Sequence, residues 1–412
     1  MNINKNEIKG ILIISLLGCF GSVASILFFN PSNFSWSYYL TNSYKEYNSY
    51  TAISASGDYL VIGSQNDRLY LFHRQSSKPL WIWRSIEDVH DVDISADSNY
   101  IIAGGLDGIV RLLERNSSIA IWNFTTDGGS VVISSDGEYS AFSAGYKLYL
   151  YQRSTSTLLI NGSNEGFHLA MSSEGNYIVS CSFGDGDVYL FNKNSSTPMW
   201  HYHIGDILHD IAMASNGEFI VAGGQANSPL GHELYLFNKS SSTPTIIYTD
   251  SSIRAIDISQ DGDYIAVGCG DGIYLFDSLS LTRLWKYSFP ESGDTNTIAI
   301  SGNGDYIVAN LWRDPLDGKI NRLLIFNKIS NKTIETIEME GLVNEVAISL
   351  DGNHISVATQ TRAYYINLKN PTFANSIQIE SIISYISLGS FIGLGIFGVL
   401  IYITKFLKKR PL

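Results

Sequence analysis

From Val92 to Phe124 the chain reads as four short apolar runs, each closed off by turn-forming residues. Val92–Ser95 leads into a turn at Ala96–Asn99, Tyr100–Gly104 into Leu106-Asp107-Gly108, and Ile109–Leu113 into Asn116-Ser117-Ser118, before Ala120–Phe124 ends the set. Runs this short, rich in β-branched and aromatic residues, predict strands rather than helices. Asp-Gly tolerates the positive φ of a hairpin turn. The inner runs lack clean alternation, which predicts strands packed on both faces.

The same pattern recurs along the chain. A phrase of the form I-S-x-x-G-x-Y-I-V starts at Ile53, Ile94, Ile133, Met171, Met213, Ile258, Ile300 and Ile348. The spacings are 41, 39, 38, 42, 45, 42 and 48 residues, and an aromatic phrase such as Leu69–Phe72 or Val188–Phe191 follows each start. That period predicts one four-stranded blade per repeat, with strands a to d running outward from a central channel. The eighth repeat has no fourth strand before Pro371. A spare run, Phe34–Tyr39, carries Trp36 in the place of Trp81, Trp122, Trp200 and Trp285. It is expected to complete blade eight, closing the ring and hiding its edges. The expected fold is all-β: an eight-bladed β-propeller over 34–370, closed by its N-terminal strand.

The phrase Ile258-Ser259-Gln260-Asp261-Gly262-Asp263-Tyr264 resembles a WD40-type repeat. Gly270-Asp271-Gly272-Ile273-Tyr274-Leu275-Phe276, followed by Leu284-Trp285-Lys286-Tyr287, is similar to the repeat of quinoprotein-like (PQQ-like) propellers. The chain as a whole resembles membrane-anchored archaeal surface propellers of the WD40/quinoprotein-like group. The Trp-Asp pair that names WD40 repeats is missing, since strand c ends in Phe72-His73, Phe191-Asn192 or Phe276-Asp277. The resemblance implies a fold and says little of function.

Two uncharged apolar runs flank the repeats, Ile11–Phe29 and Ile382–Ile403. Each is long enough to span about 30 Å of hydrocarbon as a helix. Lys5 and Lys9 precede the first, and Lys405, Lys408, Lys409 and Arg410 follow the second. The expected order is a cytoplasmic segment 1–10, a transmembrane helix or signal anchor 11–29, the propeller, a linker 371–381, a transmembrane helix 382–403 and a basic cytoplasmic tail 404–412. Cations at both ends place both termini inside and the propeller on the extracytoplasmic side. Cleavage after Ala24, behind Ser22-Val23, is the other reading of the first run. Lys409-Arg410 loosely fits a dibasic retrieval signal, leaving a lumenal subunit of a membrane complex as an alternative.

Residues 30–380 carry 21 basic and 38 acidic groups, a net charge near −17. Such a surface repels phosphate backbones, which argues against nucleic-acid partners. Cys181 and Cys269 fall on strand b of blades four and six, too far apart for a disulfide, and read as small buried hydrophobes. Seven Asn-x-Ser/Thr sequons occur, at Asn33, Asn116, Asn123, Asn161, Asn194, Asn238 and Asn331. Asn116, Asn194, Asn238 and Asn331 lie in or beside c–d turns, where a glycan would meet solvent.

Alternating strand directions put the d–a and b–c loops on one face and the a–b and c–d turns on the other. The second set is short and repetitive, as in Asp136-Gly137 and Asp261-Gly262. Extra length is confined to the b–c loops Gln225–His232 and Leu311–Asn321. Variation on one face of a repeat array marks it as the binding face. Strand a enters the channel mouth at Ser49, His90, Gly129, Phe167, His209, Arg254, Asn296 and Asn344, and His90-Asp91 and His209-Asp210 recur three blades apart. Either these groups satisfy one another and channel water, or they form a polar ligand or partner face with Asp294, Trp312 and Arg313. Nothing in the spacing brings His90 and His209 together on a metal. The Cys-Cys pair of many quinoprotein dehydrogenases, a nucleophile elbow and a phosphate loop are all missing. The reading is a non-catalytic binding or scaffold module for a protein or small polar ligand, with no cofactor; a quinoprotein-like oxidoreductase is the enzymatic alternative.

Overall fold

The computed structural model describes residues 36–40, 48–85, 87–125, 129–144, 147–162, 168–182, 186–225, 232–289, 293–312 and 321–369. Among them, 32 strands form eight four-stranded antiparallel sheets, the eight blades the repeat count predicts. Blade 2 is representative, with strands a to d at Val89–Ile94, Tyr100–Gly105, Ile109–Glu114 and Ala120–Thr125. Blade 8 joins Val343–Ile348, His354–Thr359 and Arg362–Asn367 to the N-terminal strand Trp36–Tyr39. Trp36 faces Tyr365 and Tyr39 faces Arg362 in that register. The closing strand is thus where the spare run predicts it; Phe34 and Ser35 lie outside the described residues.

The repeated phrase is a turn mechanism. Ser95 Oγ accepts the N–H of Tyr100 at 3.0 Å and donates to Asp97 at 2.6 Å. Ser134 and Ser259 do the same with Tyr139 and Tyr264. The third residue after the serine takes a positive φ, +64° at Ser98, +68° at Gly137 and +68° at Gly175 in the Ser172–Tyr177 turn. There a Cβ would also lie 2.7 Å from the Tyr139 ring of the preceding blade. The a–b turns are then stitched together by backbone. Asp97 N–H donates to Ser135, Ser135 to Ser173, Ser173 to Ser215, and so on through Gln260, Gly302 and Leu350 to the Ala55 carbonyl.

Blades also lock at the rim. Indole N–H groups of Trp36, Trp81, Trp200 and Trp285 donate to the carbonyls of Arg74, Arg115, Lys239 and Lys328 on the next blade. The side chains of Arg115 and Lys239 lie over Tyr59 and Tyr177 of the preceding blade. The core sits between blades: strands b are buried almost throughout, whereas strand d of blade 1 alternates between half-buried and exposed positions. Cys181 and Cys269 are buried free thiols.

The membrane-span expectations at 11–29 and 382–403, like the tail and linker, lie outside the described residues. No helix among the described residues is long and apolar enough to cross a membrane.

Candidate functional site

Strand a changes register at the mouth end in blades 2, 5, 6 and 8, between Val89 and Asp91, Leu208 and Asp210, Ile253 and Ala255, and Val343 and Glu345. The residue passed over in each is His90, His209, Arg254 or Asn344, four of the eight mouth positions named from the sequence. A bulge leaves one residue unpaired and re-aims its neighbours. Here it takes the mouth residue out of the strand ladder, and in blades 2, 5 and 8 the residue that follows is a carboxylate lining the channel.

On blades 5 to 7 four candidate residues meet. Arg254 Nη1 lies 3.4 Å from His209 Nε2, and Arg254 Nε lies 3.4 Å from Asp294 Oδ2. Asp294 and Trp312 exchange backbone hydrogen bonds of 3.1 and 2.7 Å, which carries Trp312, 39 % exposed, to the same rim. Burial and the neighbouring guanidinium push the His209 pKa down. Arg313 lies outside the described residues, as does the interior of both long b–c loops. His90 belongs to another arc, its ring 4.9 Å from that of Tyr50 and its Nε2 3.3 Å from the Tyr50 hydroxyl. Burial lowers its pKa against a raising contribution from Asp88.

Asp91 and Asp210 do something other than wait for a ligand. Asp91 accepts the N–H of Val92 on one oxygen and that of Val131, on blade 3, on the other, both at 2.8 Å. Asp210 bridges Ile211 to Ile256 of blade 6 in the same way. Two residues missed in the sequence repeat the device one step deeper: Asp93 bridges Ile94 to Ile133, and Asp257 bridges Ile258 to Ile300. Glu345 Oε2 takes the Thr51 N–H and closes blade 8 on blade 1. Strand a is the innermost strand, so its free N–H groups need acceptors from the adjoining blade. The signal was present as a lone Asp directly before Ile-Ser. Burial, against these hydrogen bonds, raises Asp91 to about 6 and Asp93, Asp210 and Asp257 to about 7, and Glu345 well above the usual carboxylate range.

These side chains line a channel of about 920 Å³. No group of three or more His, Cys, Asp or Glu among the described residues is arranged to hold a metal. Of the sequon residues, Asn116, Asn194 and Asn331 are exposed and Asn238 is half-buried. Asn331 donates to the Lys286 carbonyl at 2.9 Å.

With the geometry in view, comparison with known proteins places the repeats. Residues 78–113 and 242–277 match the WD40 family described as WD domain, G-beta repeat. Each match begins near strand d of one blade and ends in strand c of the next, the one-strand offset that leaves Trp36–Tyr39 to close the ring. A stretch of 152 residues, 36 % of the chain, is 28 % identical to WD repeat-containing protein 91 of Xenopus tropicalis, and covers 18 % of that protein. The C-terminal WD40 domain of Sif2 superimposes with a TM-score of 0.62 at 14 % identity, over 79 % of this chain and 97 % of that one. The chain is an eight-bladed β-propeller in fold, and two of its segments match the WD40 repeat. The quinoprotein-like part of the resemblance gains no support from these matches.

Proposed function

We propose that this propeller is a membrane-tethered, extracytoplasmic binding module whose protein partner meets the d–a and b–c loop face at the arc of His209, Arg254, Asp294 and Trp312. The observation that carries the reading is that arc: four polar or aromatic side chains from three blades gathered at one rim, two of them on bulges. Arg and Trp are the side chains most often responsible for interface energy. The opposite face offers less, because its a–b turns are consumed in the interblade belt. Tethering rests on the two uncharged runs and their flanking cations.

The test has two arms. Protease added to intact cells digests the propeller and spares a tag placed after Leu412; a protected propeller reverses the topology. Arg254→Ala with Trp312→Ala weakens partner binding at least about tenfold, on the scale of about 2 kcal/mol for an interface anchor, while the thermal transition stays put. Undiminished binding by that variant removes the site.

A further inference from the structure

We propose that the central channel is a receptor for a linear aliphatic diamine or polyamine, gripped through its ammonium groups. The lining holds five carboxylates, Asp91, Asp93, Asp210, Asp257 and Glu345, and no lysine or arginine. They form two tiers. Asp91, Asp210 and Glu345 stand near the mouth on blades 2, 5 and 8, while Asp93 and Asp257 stand two residues deeper on blades 2 and 6. Two residues of strand separate the tiers by about 6–7 Å, a distance that a four-carbon chain bridges. Apolar wall from Val92, Val131, Leu169, Ile298 and Val346 lies alongside, suited to methylenes.

The clamps leave capacity for a ligand. Each aspartate oxygen takes one backbone N–H, Asp91 takes a further hydrogen bond from the Ser130 side chain, and a carboxylate oxygen has a second acceptor site. Glu345 commits only Oε2 to its clamp. Two N–H donors favour the ionised carboxylate while enclosure opposes it, and a cation in the lumen removes the conflict. An independent sign comes from His168 on blade 4. Its ring lines the lumen, largely covered by the channel wall, and has no hydrogen-bond partner among the described residues. Burial holds it neutral, so one ring nitrogen is an open acceptor for an ammonium N–H. The five carboxylates are spread over four blades and two depths of the channel, and no group of three or more ligands among the described residues is arranged to hold a compact metal ion. An extended cation suits that spread.

Calorimetric titration of the purified full chain at pH 8 with 1,4-diaminobutane and with spermidine tests this, with n-butylamine and magnesium as controls. The expected result is one saturable site, at least about tenfold tighter for the diamine than for either control. At pH 5.5 binding weakens, because the five carboxylates take up protons; His90, His168 and Tyr50 are the other ionisable groups of the lumen. Asp93→Asn with Asp257→Asn removes the deeper tier and reduces diamine affinity toward that of butylamine. Should that variant fail to fold, His168→Ala leaves every clamp in place and is expected to weaken binding several-fold. No saturable binding, equal binding of diamine, butylamine and magnesium, or undiminished binding by the folded variants overturns the proposal.

Discussion

Single residues decide more here than the repeat suggests. Arg111 and Asp107 form an ion pair with side chains 8 % and 3 % exposed, held further by Ser85 and by the Trp83 ring 4.4 Å from the guanidinium. Removing one partner of a buried pair strands the other. Asp107→Ala is therefore expected to cost about 3–5 kcal/mol in chemical denaturation; a loss below about 1 kcal/mol would mean that water reaches Arg111. The channel carboxylates give a second prediction. A carboxyl whose folded pKa lies above its unfolded value adds stability below the unfolded value, and loses it as pH rises through the folded one. For Asp93, Asp210 and Asp257 the unfolded reference is 3.8 and the folded value about 7. The melting temperature is thus expected to fall between pH 6.5 and 8.5, above the range where the depressed histidines His90, His168 and His209 charge. Asp93→Asn with Asp257→Asn should flatten that slope, and a melting temperature that rises with pH would contradict the assignment.

At the scale of elements, the closing strand is the weakest link. Trp36–Tyr39 pairs with Arg362–Tyr365 over four residues. It is held by the Trp36 ring against Phe72 at 5.1 Å and Tyr365 at 5.7 Å, and by Arg362 over the Tyr39 ring and bonded to Ser37. Trp36→Ala loses two ring contacts and the bond to the Arg74 carbonyl. Because Trp36 is half-buried, the expected cost lies at or below the low end of the about 3–5 kcal/mol typical of a buried aromatic. A larger share should appear as aggregation through the exposed edge of blade 8, read by light scattering. Gly175→Ala tests the turns: the positive φ alone costs about 1–2 kcal/mol. Tyr139→Ala in the same chain should recover the part due to the ring clash, which a double-mutant cycle isolates.

The blades were legible because period, turn chemistry and strand composition all point the same way, down to Trp36 as the closing tryptophan. The channel clamps were not. Asp93 and Asp257 look like interruptions of an apolar strand until the adjoining blade supplies the Ile133 and Ile300 N–H groups they accept. Asp91 and Asp210 stood out as site candidates for the same reason that makes them clamps: a charge beside apolar strand residues must find a partner, and the sequence does not say whether it is protein or ligand. Bulges are likewise invisible in one dimension, although the residues they expose, His90, His209 and Arg254, were recognisable from their place four before the repeat start.

For the whole molecule, one face is built for closure and the other for contact. The a–b turns are tied into a backbone belt from Asp97 to Ala55. The b–c and d–a side carries the bulges, the long loops and the arc from His209 to Trp312. The closing strand begins at Trp36, and strand c of blade 8 ends at Asn367, on the turn side, away from the arc. Site-specific photo-crosslinking on the full chain in intact cells tests this most directly. A crosslinker in place of Trp312 is compared with one in place of Ile119, which is 76 % exposed in a c–d turn. The account predicts a discrete protein adduct from position 312 that disappears when Arg254 is changed to Ala, and none from position 119. An adduct from 119 alone, or one from 312 indifferent to Arg254, would contradict it.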